Sequence, residues 1–186
     1  MTITPITGDV WGDEIEGPRA FILAESEKPL ATLKAVFDSA HAAFAKGLAG
    51  VSEAQGAFKP GRGGGEEDYS IDEVTRHIIQ IYPLMGARVR ALARGEEPPP
   101  TQGPGSLGGH EGMPLTRLVA LLDEAKSGMV AQVTSVEGKE GLEAMMAHRL
   151  FGELNCRGWL AMTALHVADH ARQIDKVKAH PGYPKA

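Results

Sequence analysis

The chain has few of the features that mark secreted, membrane-spanning or nucleic-acid-binding proteins. It contains one cysteine, Cys156, so it cannot form an internal disulfide, and this suits a reducing compartment such as the cytoplasm. No apolar run approaches the ~18 residues that a membrane-spanning helix needs. No basic residue leads an apolar stretch near the N-terminus, as in a signal peptide. We therefore expect a cytoplasmic protein with no membrane partner.

An excess of basic residues is also absent. The chain has 19 Lys and Arg residues against 24 Asp and Glu residues, which gives a formal net charge of -5 at pH 7. Nucleic acids and anionic surfaces are bound by basic faces, so we predict no nucleic-acid partner. A length of 186 residues with 42% hydrophobic residues is ordinary for one domain that has its own core.

Strand-like alternation of apolar and polar residues is missing as well. Four stretches instead repeat apolar residues every three or four positions, which is the period of an amphipathic helix. These four predicted helices cover about residues 26–48, 70–92, 114–136 and 155–178. A short additional helical piece is predicted around residues 142–147.

Capping residues set the predicted helix starts. Ser26 is a candidate N-cap of the first helix, with Pro29 tolerated in its first turn. Ser70 followed by Glu73 forms a capping-box pattern at the start of the second helix. Asn155 is the candidate N-cap of the fourth helix.

Four amphipathic helices of about 20 residues predict an all-α fold, an antiparallel four-helix bundle. The bundle would occupy residues 26–180, after an N-terminal extension (1–25) and before a C-terminal tail (181–186). A Gly- and Pro-rich loop, 95–112, separates helices two and three, and a loop of that length is often functional. Apolar residues that would fasten the extension to the bundle are Val10, Trp11, Phe21, Ile22 and Leu23.

Three histidines lie on inward-facing stripes of these helices. His166 and His170 are four residues apart, which places them on one helix face about 6 Å apart along the axis. His77 lies on the apolar stripe of the second helix. Three neutral imidazoles that meet in a bundle core predict a site for a divalent transition metal, with one coordination position left vacant. The alternative is that each histidine is a hydrogen-bonded core residue.

Other residues near the stripes leave several interpretations open. His41 on the first helix is a fourth ligand, a partner of a ligand, or a plain core residue. Tyr82 and Trp159 are core or pocket-wall residues, and Cys156 is a packed or partly exposed thiol. The remaining histidines fall in loops or near the chain end and are predicted to be solvated: His110, His148 and His180.

Three motifs follow one another in a fixed order. The first is the segment from Tyr69 to His77, the second is the turn from Phe151 to Leu154, and the third is His166 and His170 followed by Gln173 and Ile174. In this order the motifs resemble those of the DinB-like, also called YfiT-like, family of metal-dependent proteins. The resemblance spans about residues 27–180. It departs at Tyr69, where the family usually has Trp, and at Asp169, where many members have a second adjacent histidine.

The resemblance implies an antiparallel four-helix bundle in which His77, His166 and His170 hold nickel or zinc, with water completing the shell. Gln173, as part of the third motif, would line the pocket or support a ligand. Family members of known activity are mostly transferases and isomerases that use low-molecular-weight thiols such as bacillithiol or mycothiol. A small-molecule thiol is therefore the expected partner, and a homodimer is compatible with the family.

The preferred functional hypothesis is a metal-dependent thiol transferase, in which the ion lowers the pKa of a bound thiol. No general acid or base is identified by the sequence, so the catalytic residues stay unknown. One alternative is a hydrolase that uses metal-activated water, although Val167 stands where a His-Glu-x-x-His metalloprotease has its glutamate. A second alternative is a non-catalytic stress protein that binds a metal or a small ligand.

Overall fold

The computed structural model describes residue 6 and residues 15–61, 65–100 and 107–185. Within these residues the chain forms six α-helices, one 3-10 turn (Glu66–Asp68) and two short strands, which confirms the all-α fold class. The helices are α1 (Glu16–Ser26), α2 (Leu30–Leu48), α3 (Glu53–Gly56), α4 (Ile71–Ala93), α5 (Leu115–Thr134) and α6 (Cys156–Lys178), and the strands are β1 (Met146–His148) and β2 (Gly152–Leu154).

Helices α2, α4, α5 and α6 form the predicted four-helix bundle. Each packs on two others in the cyclic order α2, α6, α4, α5. Helices α2 and α6 run in the same direction, because Gly47 lies against Ile174 near the C-terminal end of both. Helices α4 and α5 run the opposite way. Arg88 near the end of α4 lies over Trp159 near the start of α6, and Lys34 near the start of α2 donates to Thr134, the last residue of α5. Two helices therefore run in each direction.

The parallel orientation of α4 and α5 explains the long connection between them. Because these successive helices point the same way, the chain must return along the length of the bundle before α5 begins. A 23-residue helix is about 35 Å long, which a short turn does not span. Gly95, with φ 67°, follows the C-cap residue Arg94 and turns the chain out of α4.

The core is built from apolar side chains of all four bundle helices. Burying such a side chain contributes about 1.5–3 kcal/mol relative to leaving it exposed. Fully buried examples are Phe37, Phe44, Ile78, Tyr82, Leu118, Leu122, Trp159 and Ile174. Among the described residues, no helix has the length and apolar content needed to cross a membrane.

The segment expected to be an extension contains helix α1, which packs on α6. Phe21 and Ile22 are buried there as predicted, whereas Leu23 is 46% exposed. Val10 and Trp11 lie outside the described residues. The prediction that Ser26 caps the first bundle helix is wrong, because Ser26 is the last residue of α1 and its hydroxyl donates to the carbonyl of Leu23.

The other predicted caps are confirmed. Ser70 accepts a hydrogen bond from the backbone N–H of Glu73, and the Glu73 carboxylate accepts one from the backbone N–H of Ser70. Asn155 accepts from the backbone N–H groups of Arg157 and Gly158. These caps satisfy N–H groups at the starts of α4 and α6 that have no partner within the helix.

The predicted helical piece at 142–147 is wrong, because β1 and β2 form a small antiparallel hairpin across that region. Met146 pairs with Leu154, and His148 pairs with Gly152. Trp159 of α6 fixes the hairpin, since its indole N–H donates to the carbonyl of Met146 at 3.2 Å. The strands therefore depend on a tertiary contact, and the spacing of apolar residues along the sequence does not reveal that contact.

Removing the cap of α4 should destabilise the bundle. We expect Ser70→Ala to lower the free energy of unfolding by about 1 kcal/mol, because the N–H of Glu73 loses its acceptor. Urea unfolding followed by circular dichroism measures the change. Ser127→Ala is the control, since Ser127 is an exposed residue inside α5 and alanine suits a helix interior. Equal stability of Ser70→Ala and the unmodified protein would contradict the assigned cap.

Candidate metal centre

Three histidine side chains meet where the first turns of α4 lie beside the middle of α6. The Nε2 atom of His166 is 3.1 Å from Nε2 of His77 and 3.2 Å from Nε2 of His170. The three residues are a group whose ligand atoms all lie within 4.8 Å of one another. The predicted triad is therefore brought together in space, and it has the composition and spacing that can hold a metal ion.

The antiparallel packing of α4 and α6 brings the three histidines together. His77 lies in the second turn of α4, whereas His166 lies at the middle of α6 and His170 one turn further on. Because α4 and α6 are antiparallel, a residue near the start of α4 faces residues at and beyond the middle of α6. His77 and His170 are buried, with 4% and 3% exposure, while His166 is only partly buried and keeps contact with solvent.

Gln173 fixes the orientation of one imidazole. Its amide N–H₂ donates to the main-chain carbonyl of Glu66, so its carbonyl oxygen must face His170. That oxygen lies 2.7 Å from Nδ1 of His170 and accepts a hydrogen bond from it. Nδ1 therefore carries the proton, and Nε2 of His170 presents its lone pair to the triad. Support of this kind, from outside the ligand set, is typical of histidines that bind metals.

Hydrogen bonds among the three rings cannot fully satisfy both contacts. Nε2 of His166 lies close to both neighbours, but it carries either one proton or one lone pair. Because Nε2 of His170 carries a lone pair, His166 must oppose a lone pair to a lone pair, oppose a proton to a proton on His77, or share its single proton between two acceptors. A cation held by three lone pairs would remove this conflict. Two nitrogens bound tetrahedrally at about 2.0–2.1 Å from zinc are roughly 3.3 Å apart, close to the observed separations.

The electrostatics of the site favour neutral imidazoles. Burial lowers the pKa of His166 well below the usual 6.5, and the neighbouring His170 and His77 lower it further. Burial also lowers the pKa of His170, and His77 acts in the same direction. Neutral rings have lone pairs available at neutral pH, which is the form that binds a metal.

His41 is not one of the three histidines that come together. Its Nδ1 atom is hydrogen-bonded to the hydroxyl of Tyr82 at 3.0 Å, and its Nε2 atom lies 3.9 Å from a carboxylate oxygen of Asp123. Phe37 packs edge-on against the Tyr82 ring. His41 and Tyr82 thus form a polar pair inside the bundle, between α2, α4 and α5. Burial lowers the pKa of His41 and raises that of Tyr82.

The remaining predicted residues lie elsewhere. Trp159 is buried beneath the guanidinium of Arg88, which lies 4.3 Å from the centre of its ring. Cys156 is buried, its thiol donates to the carbonyl of Gly141, and burial raises its pKa to about 11. The thiol is therefore protonated at neutral pH and is not a nucleophile.

The histidines expected to be solvated differ from one another. His110 is exposed, as expected. His148 is partly buried, because its ring stacks on Phe151 at 4.6 Å and meets the edge of Trp159 at 5.5 Å. His180 is partly buried and packs beside Phe58.

Two residues with structural roles were not identified from the sequence, Glu66 beside the triad and Arg88 three helical turns from His77 along α4. Glu66 contributes its main-chain carbonyl to Gln173, and a main-chain acceptor has no side-chain signature. Arg88 was available to pattern reasoning, because it lies eleven residues after His77 and therefore on the same face of α4. A charged residue on an apolar stripe was the signal that could have revealed it.

Comparisons with known proteins agree with this fold. Among solved structures, the chain is similar to the crystal structure of TT2238, a four-helix bundle protein, with a TM-score of 0.58 and 20% sequence identity over 79% of this chain and 98% of that one. None of the curated proteins matches the chain significantly. The family model described as the DinB superfamily matches residues 10–174. The chain therefore belongs to the DinB superfamily.

Proposed function

We propose that this protein is a metal-dependent enzyme of the thiol-transferase or thiol-dependent isomerase class. His77, His166 and His170 would hold a divalent transition ion, nickel or zinc, with water in the remaining position. The observation that carries this proposal is that Nε2 of His166 lies 3.1 Å from Nε2 of His77 and 3.2 Å from Nε2 of His170. The expected cosubstrate is a low-molecular-weight thiol.

The chemistry that the ion supplies when bound is a lowered pKa for a thiol beside it, so that a thiolate is present near neutral pH. The chain provides the surroundings. Gln173 and the carbonyl of Glu66 hold the ring of His170 in one tautomer. The partial exposure of His166 provides access from solvent, and the buried ring of Tyr69 beside His77 limits the entry of water.

In a transferase reaction, a bond forms between the thiol sulfur and an electrophilic carbon of the second substrate. The bond from that carbon to its leaving group breaks, the leaving group departs with the electron pair, and the thiol proton passes to solvent. In an isomerase reaction, the thiol adds to the substrate and is eliminated again, so it is regenerated. Both reactions need a thiol that is held in a fixed orientation in a pocket partly shielded from water. Gln173, Tyr69 and the three histidines would supply that pocket.

Metal content tests the proposed ligands. We expect the native protein to contain about one divalent transition ion per chain, and the His166→Ala, His170→Ala variant to contain almost none, because a single remaining imidazole binds weakly. Elemental analysis of both purified proteins measures the difference. His110→Ala removes an exposed histidine and should leave the metal content unchanged. Stoichiometric metal in the double variant would exclude this ligand set.

Activity tests the reaction class. The metal-loaded protein is incubated with a panel of low-molecular-weight thiols and electrophiles, and free thiol is measured over time. The double histidine variant serves as the background. Thiol consumption that depends on the triad supports the transferase, whereas ester hydrolysis without thiol consumption would instead support the hydrolase.

Gln173 should influence metal affinity without touching the ion. We expect Gln173→Leu to weaken metal binding about 10- to 100-fold, because Nδ1 of His170 loses its acceptor and the ring is free to change tautomer. Competition with a chromophoric chelator measures the affinity. Gln132→Leu makes the same chemical change on α5, beside Gly86, and should have no effect. An unchanged affinity in Gln173→Leu would argue against a supporting role.

The depressed histidine pKa values predict a pH effect on the metal-free protein. Below pH 6.5 the unfolded chain binds protons that the folded triad excludes, so the folded state loses stability as the pH falls. The stability of the unmodified protein minus that of the His166→Ala, His170→Ala variant should therefore decrease from pH 7 to pH 5, by at most about 1.4 kcal/mol per pH unit for each histidine. Urea unfolding in the presence of a chelator measures both. A difference that rises on acidification would contradict the assigned pKa directions.

A further inference from the structure

A cavity of about 480 Å³ opens between α4, α5 and the chain segment that precedes α5. It is separate from the metal centre, since none of the three histidines lines it. Its volume falls in the range of about 300–1,000 Å³ that is usual for small-molecule sites. The polar groups of its lining come from Arg76, Gln80 and Glu124. The apolar part of the lining consists of Ile79, Pro83, Leu121 and Ala125.

The segment before α5 packs closely on α4 and closes a third side of the cavity. Gly108 has φ 63°, and a Cβ atom at this position would lie 3.0 Å from Oε1 of Gln80. Glycine tolerates both this backbone conformation and this close approach, because it has no Cβ atom. Gly109 and His110 continue the lining from there. The cavity therefore has walls from two helices and from a segment that is seated on one of them.

Arg76 brings to the cavity a positive charge that no ion pair neutralises. Among the described residues no carboxylate pairs with its guanidinium, including that of Asp72, which lies one turn earlier on α4. The Nε atom of Arg76 is buried and has no hydrogen-bond partner in the same part of the chain. A buried donor without an acceptor is costly, and buried polar groups in folded proteins usually have one. An anionic group in the cavity would supply that acceptor.

Glu124 brings an unpaired negative charge from the facing helix. It is exposed, and it forms no ion pair within the residues that the structure describes. The register of the parallel helices α4 and α5 is set where Gly86 packs on Met129, since a Cβ atom on Gly86 would lie 3.0 Å from Cα of Met129. Glu124, five residues before Met129, is therefore level with Ile81, five residues after Arg76. The two charges are offset by about 7–8 Å along the bundle axis.

Pro83 leaves a main-chain acceptor near the negative end. Proline has no backbone N–H, so Pro83, which lies inside α4, cannot donate to the carbonyl of Ile79. Both residues line the cavity. Ile79 is two residues from the level of Glu124, which is about 3 Å along the axis. A positively charged group beside Glu124 thus has a carbonyl oxygen as a second acceptor.

We propose that this cavity binds a free α-amino acid that has a large apolar side chain. Arg76 pairs with the carboxylate of the amino acid and Glu124 pairs with its ammonium group. The side chain of the amino acid covers the apolar lining from Ile79 and Leu121. The three groups diverge from one carbon atom in an α-amino acid, and they match the three kinds of surface in the cavity. A simple acid or a simple amine leaves one of the two protein charges unmatched, so the site selects a zwitterion. This site is additional to the proposed function and does not depend on the metal.

L-phenylalanine is the probe for this site, with two matched analogues as controls. Phenethylamine lacks the carboxylate, and hydrocinnamate lacks the ammonium group. We expect L-phenylalanine to bind about tenfold more tightly than phenethylamine, because the hydrogen bond between Arg76 and a charged acceptor is lost. We expect it to bind about two- to fivefold more tightly than hydrocinnamate, because the pair with the exposed Glu124 is worth less. NMR titration of the isotope-labelled full chain measures all three affinities. An analogue that binds as tightly as L-phenylalanine would overturn the proposal.

Two variants assign the charged groups of the ligand to their partners. Arg76→Gln should weaken the binding of L-phenylalanine and hydrocinnamate about tenfold and leave phenethylamine unaffected. Glu124→Gln should weaken L-phenylalanine and phenethylamine about two- to fivefold and leave hydrocinnamate unaffected. Arg117→Gln and Asp123→Asn remove the same charges from exposed residues of α5 that do not line the cavity, and should change no affinity.

Circular dichroism checks the fold of each variant. Glu124 is exposed, so Glu124→Gln still tests the site if Arg76→Gln is poorly folded. Unchanged binding of L-phenylalanine in a folded variant of either residue would overturn the proposal.

The position of the ligand separates this site from the metal centre. An α-amino acid also binds metal ions through its amino and carboxylate groups, so the same titration must show where it binds. We expect the largest changes in amide chemical shift at Gly109, Leu121 and Ala125, with the same affinity in the His166→Ala, His170→Ala variant. Largest changes around His166 and His170, or loss of binding in that variant, would overturn the amino-acid site and leave the triad assignment standing.

Discussion

The hydrogen bond from His170 to Gln173 is the contact on which the chemistry of the site depends. Gln173 is itself held by the carbonyl of Glu66, so its amide cannot turn over, and the proton of His170 is confined to Nδ1. A lone pair then faces His166 and His77 from a fixed position. Without this restraint the three rings would be free to change tautomers and to hydrogen-bond with one another, and a pre-arranged ligand set would be lost.

The rest of the bundle holds this arrangement in place at some expense to its own stability. Burial disfavours protonation of His166 and His170, and an apolar replacement of the triad would pack without polar conflict. The rigid core around the site, with Ile78 and Trp159 almost fully buried, supplies the compensating stability. The polar pair of His41 and Tyr82 shows the contrasting case, in which two buried polar groups satisfy each other.

The sequence predicted the bundle and the meeting of the triad because both depend on helical periodicity. His166 and His170 are one turn apart on α6, and the motif around His77 placed it on an inward stripe. The hairpin at Met146–Leu154 was missed because it depends on a tertiary contact with Trp159 of α6. The periodicity of apolar residues along the strands does not reveal such a contact. Helix α1 was missed because its 11 residues, Glu16–Ser26, are too few to repeat an apolar stripe over several turns. The contact of Glu66 with Gln173 could not be predicted from the sequence, because it uses only the main-chain carbonyl of Glu66.

The pairing of α4 with α6 also bears on how the site is assembled during synthesis. His77 and His166 are separated by 89 positions, and helix α5 with its long crossover lies between them. Loop-closure entropy opposes so distant a contact until the intervening chain has collapsed. A nascent chain therefore carries His77 without its partners while the crossover and α5 are synthesised, and the three imidazoles meet only after α6 has left the ribosome. A chain that stops before α6 therefore carries His77 alone and cannot complete the group of three histidines.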